Sequence, residues 1–214
     1  VNTNGGLLTA STAAIAANAL VTGAGSGTAL TGTTPGTGVL SALAVNVGSS
    51  GAVGLNGGAA SSSVSTTSGS SFDFTGLPTW VRKITVMFSG VSLSGADTLL
   101  LQIGDGGGVS ASGYNSRELI SVVGSPGNIF NITNTTGYDF GGSDASYAIS
   151  GVITIVNISG NVWVATGVGQ IDGDTTVALT SSGVKTLSST LDRVRLTRTG
   201  ASTFDAGTFN IYYE

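Results

Sequence analysis

No charged residue occurs before Asp73. All seven basic and eleven acidic residues of the 214-residue chain follow that point. Ordinary globular domains carry about a quarter of their residues as Asp, Glu, Lys or Arg, so the two parts of this chain obey different rules. The uncharged part is built from Gly, Ala, Ser, Thr, Asn and modest aliphatics, with Pro35 its single proline and Phe72 its single aromatic. Ordering each residue costs about 1–2 kcal/mol of backbone entropy, and such small side chains bury little apolar area to offset it. Two readings remain: a flexible Gly/Ser/Thr linker, or a segment that buries its aliphatics against copies of itself. The second is preferred, because Leu20, Val21, Leu30, Val39 and Leu40 recur between glycine-containing breaks, and Leu43, Val45 and Val47 alternate as on one strand face. Ser11–Leu20 is Ala-rich and reads alternatively as a short capped helix, marginal in isolation.

Several function classes are excluded by composition. The chain has no His and no Cys, which removes Ser-His-Asp and Cys-His machinery, imidazole or thiolate zinc sites and any disulfide framework. A formal charge of −4 argues against nucleic acid, whose binding needs clustered Lys and Arg. Mean hydropathy is positive, at +0.36. Even so, Thr, Ser, Asn and Gly interrupt every Ala/Val/Leu run before the ~18 residues that a membrane span requires, and no membrane insertion is expected. The first residues show no basic n-region, so a signal peptide is not expected either. A start at Val1 leaves open a processed end or an internal piece.

From Phe72 the pattern becomes that of a packed all-β domain. Ile84, Val86 and Phe88 share one face against Lys83 and Thr85. Thr98–Ile103 is a second apolar run, closed by Gly104-Asp105-Gly106-Gly107-Gly108, and Arg117–Val123 reads as a third strand. Tyr147–Ile158, the turn Ser159-Gly160-Asn161, Val162–Ile171, the turn Asp172-Gly173-Asp174 and Thr175–Thr180 form an antiparallel meander. Leu191–Arg198 and Thr208–Tyr213 alternate as well. Strands at this spacing, with no helical pattern between them, predict a sandwich or jelly roll. The expected organisation is residues 1–71 as an uncharged fibre shaft or attachment segment and residues 72–214 as a β-sandwich, jelly-roll-like tip.

Particular stretches resemble a known family. The run from Phe72 through Gly76-Leu77-Pro78-Thr79-Trp80 to Val91 resembles the opening of a C-terminal domain in tail fibre and related virion proteins of tailed bacteriophages. The sequence ITIVNISGNVWVATG from Ile153, Leu191–Leu196 and Thr203–Glu214 look like later strands and the terminus of the same domain. Upstream, Ala17–Gly25 and Gly36–Gly48 are similar to the low-complexity shaft of such fibres. The resemblance implies a homotrimeric, intertwined virion appendage with a thin shaft and a globular tip, made in the bacterial host cytoplasm. Implied partners are other copies of the chain, other virion tail or baseplate proteins, and a host-surface glycan or outer-membrane protein. It brings no catalytic positions and no cofactor, and a non-enzymatic role is expected. The rival readings are a head decoration or tail-assembly adaptor binding only virion proteins and, less favoured, a polysaccharide depolymerase.

Tyr114, Tyr138 and Phe140 sit among Gly, Ser, Asn and Asp, a setting that predicts aromatics on polar loops available to a receptor. Trp80 and Trp163 have apolar strand surroundings and read as core rather than as sugar-stacking residues. Asp172 and Asp174 read as turn residues rather than as ligands of a hard cation. Asp105 lies in a glycine-rich loop that lacks the following Lys and helix of a phosphate-binding loop. Glycan hydrolysis needs two carboxyl groups about 5–9.5 Å apart. Spacing pairs none of Glu118, Asp139, Asp144, Asp172 and Asp174, which are expected to be solvated or turn-forming. Arg193, Arg195 and Arg198 are expected in ion pairs with acids such as Asp192 and Asp205 rather than bound to an anionic ligand.

Overall fold

The computed structural model describes residues 20–22, 31–33, 59–122, 124, 129–142 and 144–214. The chain divides into two compact units, Val1–Gly57 and Gly58–Glu214. In the first, β1 (Leu20–Thr22) pairs antiparallel with β2 (Thr31–Thr33). Leu20 is therefore extended rather than the end of a helix. The rest of the expected helix at Ser11–Leu20 and the alternation at Leu43–Val47 lie outside the described residues.

The second unit starts at Gly58, ahead of the boundary at Phe72 suggested by charge, because two short uncharged strands belong to its sheet. These are β3 (Ala59–Ala60) and β4 (Val64–Ser65). The remaining strands are β5 (Phe72–Thr75), β6 (Lys83–Leu93), β7 (Thr98–Asp105), β8 (Gly108–Val109), β9 (Tyr114–Val122), β10 (Ile129–Asn134), β11 (Tyr138–Gly142), β12 (Ala148–Ser159), β13 (Val162–Ile171), β14 (Val177–Thr186), β15 (Leu191–Arg198) and β16 (Phe204–Tyr213). A nine-stranded sheet runs β10-β9-β14-β13-β12-β6-β16-β3, with β4 also on β16. A five-stranded sheet runs β11-β7-β15-β5, with β8 also on β7. Every pairing is antiparallel. The all-β reading thus holds, and among the described residues no helix is long and apolar enough to cross a membrane.

The two sheets share one apolar core, a sandwich-like arrangement. Ile84, Val86, Ile153, Ile155 and Ile211 of the larger sheet and Leu99, Leu101, Ile103, Val194 and Leu196 of the smaller belong to the same buried cluster. Period-two alternation brings this about, since every second residue of each strand points inward. At one end the cluster is aromatic. Phe72 lies edge-on to Phe204 with ring centroids 5.1 Å apart, and Phe74 meets Phe209 at the same separation.

Toward β11 the core is built differently. The strand registers place Gly151, Gly167, Gly169 and Gly183 on the inner face of the large sheet. A Cβ added to Gly151, Gly167 or Gly169 would stand 2.7–2.9 Å from the Phe140 ring, and one on Gly183 would stand 2.8 Å from Tyr138. The glycines form a trough into which two β11 aromatics are pressed. Glycine weakens a strand by losing side-chain contacts, and close approach of another group is the usual reason for keeping it.

Candidate functional site

The structure reverses the expectation for Tyr114, Tyr138 and Phe140. Their loop-like surroundings in sequence belong to strands β9 and β11, and all three side chains are buried. The Tyr114 hydroxyl accepts the Ile103 N–H at 2.8 Å, and its one proton lies between the carbonyls of Ser110 at 3.0 Å and Ile103 at 3.2 Å. Tyr138 donates to the Trp163 carbonyl, and its ring meets Tyr114 edge-on at 5.0 Å. Phe140 stacks on Phe88. Burial raises the hydroxyl pKa of both tyrosines, so both remain protonated donors. These side chains join the sheets from within the core instead of standing exposed on loops.

Of the two tryptophans, Trp163 is in the core as expected, but Trp80 is half-exposed and leans on Tyr213 at 5.9 Å. Asp172-Gly173-Asp174 is a turn, with Gly173 at φ 80°. Asp172 accepts from the Ser150 hydroxyl and Asp174 from the Thr176 N–H and hydroxyl. Arg193 pairs with the adjacent Asp192, as expected. Arg195 forms a two-pronged pair with Asp73 at 2.6 and 2.7 Å, Arg198 donates to the Ser202 carbonyl, and Asp205 accepts from Ser92 instead of an arginine.

Two acids expected in solvent are buried together. Glu118 projects inward from β9, opposite Ser181 of β14, and Asp139 projects from β11; neither residue has exposed surface. Asp139 Oδ1 accepts from the Asn134 amide at 3.0 Å, while its Oδ2 and both Glu118 carboxyl oxygens lack a hydrogen-bond partner. Burial raises the Glu118 pKa to about 7, with the Asp139 charge adding to the effect. Burial likewise raises Asp139 to about 6, opposed by Asn134. Enclosed in this way, neither carboxyl can touch a glycan. Parity was the available signal: on the strand read from Arg117, Glu118 keeps step with Ile120 and Val122, and so with the core.

A polar cavity of about 440 Å³ opens beside the β7–β8 turn. It is lined by Asp105, Gly107, Gly108, Ser110, Lys185 and Ser188, with Val109 and Leu187 as apolar wall. Asp105 Oδ1 accepts the Gly107 N–H at 3.0 Å, and its Oδ2 accepts the Ser188 hydroxyl at 2.7 Å and the Ser189 N–H at 2.9 Å. The Ser188 and Gly107 bonds hold its pKa below the usual carboxylate range. Lys185, on the inward parity of β14, donates to the Ser112 carbonyl at 2.7 Å and stands 5.2 Å above the Tyr114 ring centroid. Sequence reading ended this strand at Thr180 and so left Lys185 without a face.

The other notable surface is the outer face of the nine-stranded sheet. Register aligns Met87, Val152, Val168, Thr180 and Leu119 in one row across five strands, and Thr85, Thr154, Thr166, Ser182 and Arg117 in the next. Val152, Val156, Ile158, Val168 and Leu119 are exposed there, with Val168 and Ile158 each at 64%. Lys83 and Arg117 flank this face, and its middle carries no charge. Comparison with protein-family models, with curated proteins and with solved structures returns no match for this chain.

Proposed function

We propose that the chain is a structural, non-enzymatic fibre protein of a bacteriophage virion, a homotrimer whose second unit is a jelly-roll-like tip that attaches to the host surface. The observation that carries this reading is the uncharged outer face of the large sheet. A monomer would leave Val152, Val156, Ile158, Val168 and Leu119 in water, set among Thr and Ser, on a face whose middle carries no charge, and clustered exposed apolar residues of this kind mark interaction sites. Three copies turning these faces toward a common axis cover them, and they also protect sheet edges that would otherwise invite pairing. The uncharged residues before Asp73 extend the same logic to a shaft, since small side chains permit close approach of three backbones. Trivalent display then multiplies weak surface contacts through effective concentration.

Light scattering after size exclusion tests the assembly. Three copies of the 20.9 kDa chain give about 63 kDa. The double variant Val152→Lys/Val168→Lys sets like charges on the facing sheets and is expected to run as a folded monomer. A wild-type mass near 20.9 kDa would sink the trimer and favour an adaptor held by other virion proteins. Adsorption of the labelled full chain to bacterial cells tests attachment separately.

A further inference from the structure

We propose that the cavity beside the β7–β8 turn is a binding site for a neutral sugar residue, with Lys185 donating to one hydroxyl and Asp105 accepting from its neighbour. This deepens the attachment reading and rests on it for its biological setting. Lys185 is the only buried basic residue among those described, and it makes no ion pair there. A buried ammonium without an anionic partner is costly unless its donors are used. Of its three N–H donors, one reaches Ser112 and two have no acceptor within the protein, on a residue that lines the cavity. Tyr114 fixes the position of this ammonium from below, and its own hydroxyl is held by the backbone. The aromatic expected to touch a receptor thus positions the residue that does.

Asp105 supplies the complementary half. A carboxylate has about four acceptor positions, and Gly107, Ser188 and Ser189 occupy three, pinning the group while leaving it able to accept once more. The ligand class follows from the charge of the lining. One cation and one anion border the same cavity, so a phosphate or carboxylate gains at Lys185 and loses at Asp105. A vicinal diol instead satisfies both through charge-assisted hydrogen bonds. Val109 and Leu187 offer apolar wall for the C–H face of a ring. The volume lies inside the range of about 300–1,000 Å³ typical of small-molecule sites.

The test is saturation-transfer NMR on the full chain with methyl glucoside, methyl galactoside and methyl mannoside, beside glucuronate and inorganic phosphate as charged probes. At least one neutral glycoside is expected to bind with a millimolar dissociation constant. Lys185→Met, which keeps the packing stem, should weaken it at least tenfold. Ser188→Ala, which frees one side of Asp105, should weaken it about threefold and serves if the lysine variant does not fold. Absence of neutral-glycoside binding at about 50 mM, tighter binding of phosphate or glucuronate, or full affinity in both variants would overturn the site. Cell adsorption measured in parallel separates the two readings. Loss of glycoside binding in both variants with unchanged adsorption keeps the pocket but shows that attachment runs through another surface, whereas glycoside binding without adsorption to any cell tested leaves the pocket and removes attachment.

Discussion

On its inner face the nine-stranded sheet sets Gly151, Gly167, Gly169 and Gly183 beneath Phe140 and Tyr138. On its outer face the same strands carry Val152, Thr154, Val164, Thr166 and Val168, several of them open to solvent. A residue's neighbour in the chain is on the opposite face, so Gly167 and Val168 meet entirely different demands. Inside, small residues are present because large ones arrive from the facing sheet. Outside, β-branched residues with no facing layer keep strand propensity and a flat surface. Glycine within a strand here signals a crowded interior, and valine signals a surface without a cover, the reverse of what hydropathy alone suggests.

The largest effect that sharpens this contrast is expected from removing the plug. Phe140→Ala empties the glycine trough, and its stability should fall by about 3–5 kcal/mol, measured by denaturant unfolding. A loss under about 1 kcal/mol would mean that the trough does not hold Phe140. Filling the trough from below acts the same way by overpacking. Gly169→Ala puts a methyl 2.8 Å from the ring and should cost up to about 3 kcal/mol.

The buried acids give the next effect, and it depends on pH. Glu118 rises from 4.5 to about 7 on folding and Asp139 from 3.8 to about 6. For a carboxyl whose folded pKa is raised, the stabilisation is fully present below the unfolded pKa and is lost as pH rises through the folded one. Stability should therefore decline between roughly pH 4 and pH 7, by about 3 kcal/mol for Glu118. Glu118→Gln should flatten that decline. An unchanged pH profile in the variant would show that Glu118 is not buried as a neutral acid.

The smallest effect is on the outer face. Val168→Ser should change unfolding free energy by no more than about 0.5 kcal/mol under conditions where the protein is monomeric. If it instead destabilises as much as Gly169→Ala, the outer face is covered within the monomer and the contrast between the faces is lost.

Much of the fold was legible before the structure. Lys83–Leu93, Thr98–Asp105, Ala148–Ser159, Val162–Ile171, Leu191–Arg198 and Phe204–Tyr213 all overlap strands read from alternation or from apolar runs between turns, and the turn at Ser159-Gly160-Asn161 lies between its two expected strands. Strands β5, β10 and β11 escaped because they are short and rich in polar residues or glycine, so alternation has too few positions to register. The site was less legible for a related reason. Tyr138 and Phe140 have polar chain neighbours, which describes their local sequence and says nothing of the glycine trough contributed by strands up to 45 positions away.

By itself the sequence determined the strand-rich architecture and the absence of imidazole and thiol chemistry, because side-chain period and residue inventory are local properties. It also determined the split between an uncharged segment and a charged one. Tertiary structure alone decided which polar groups are inside: Glu118 and Asp139 enclosed together, Lys185 at a cavity with no ion pair of its own, Trp80 half in solvent. Burial depends on what the facing sheet brings to each position, and in an antiparallel sandwich those partners come from remote parts of the chain.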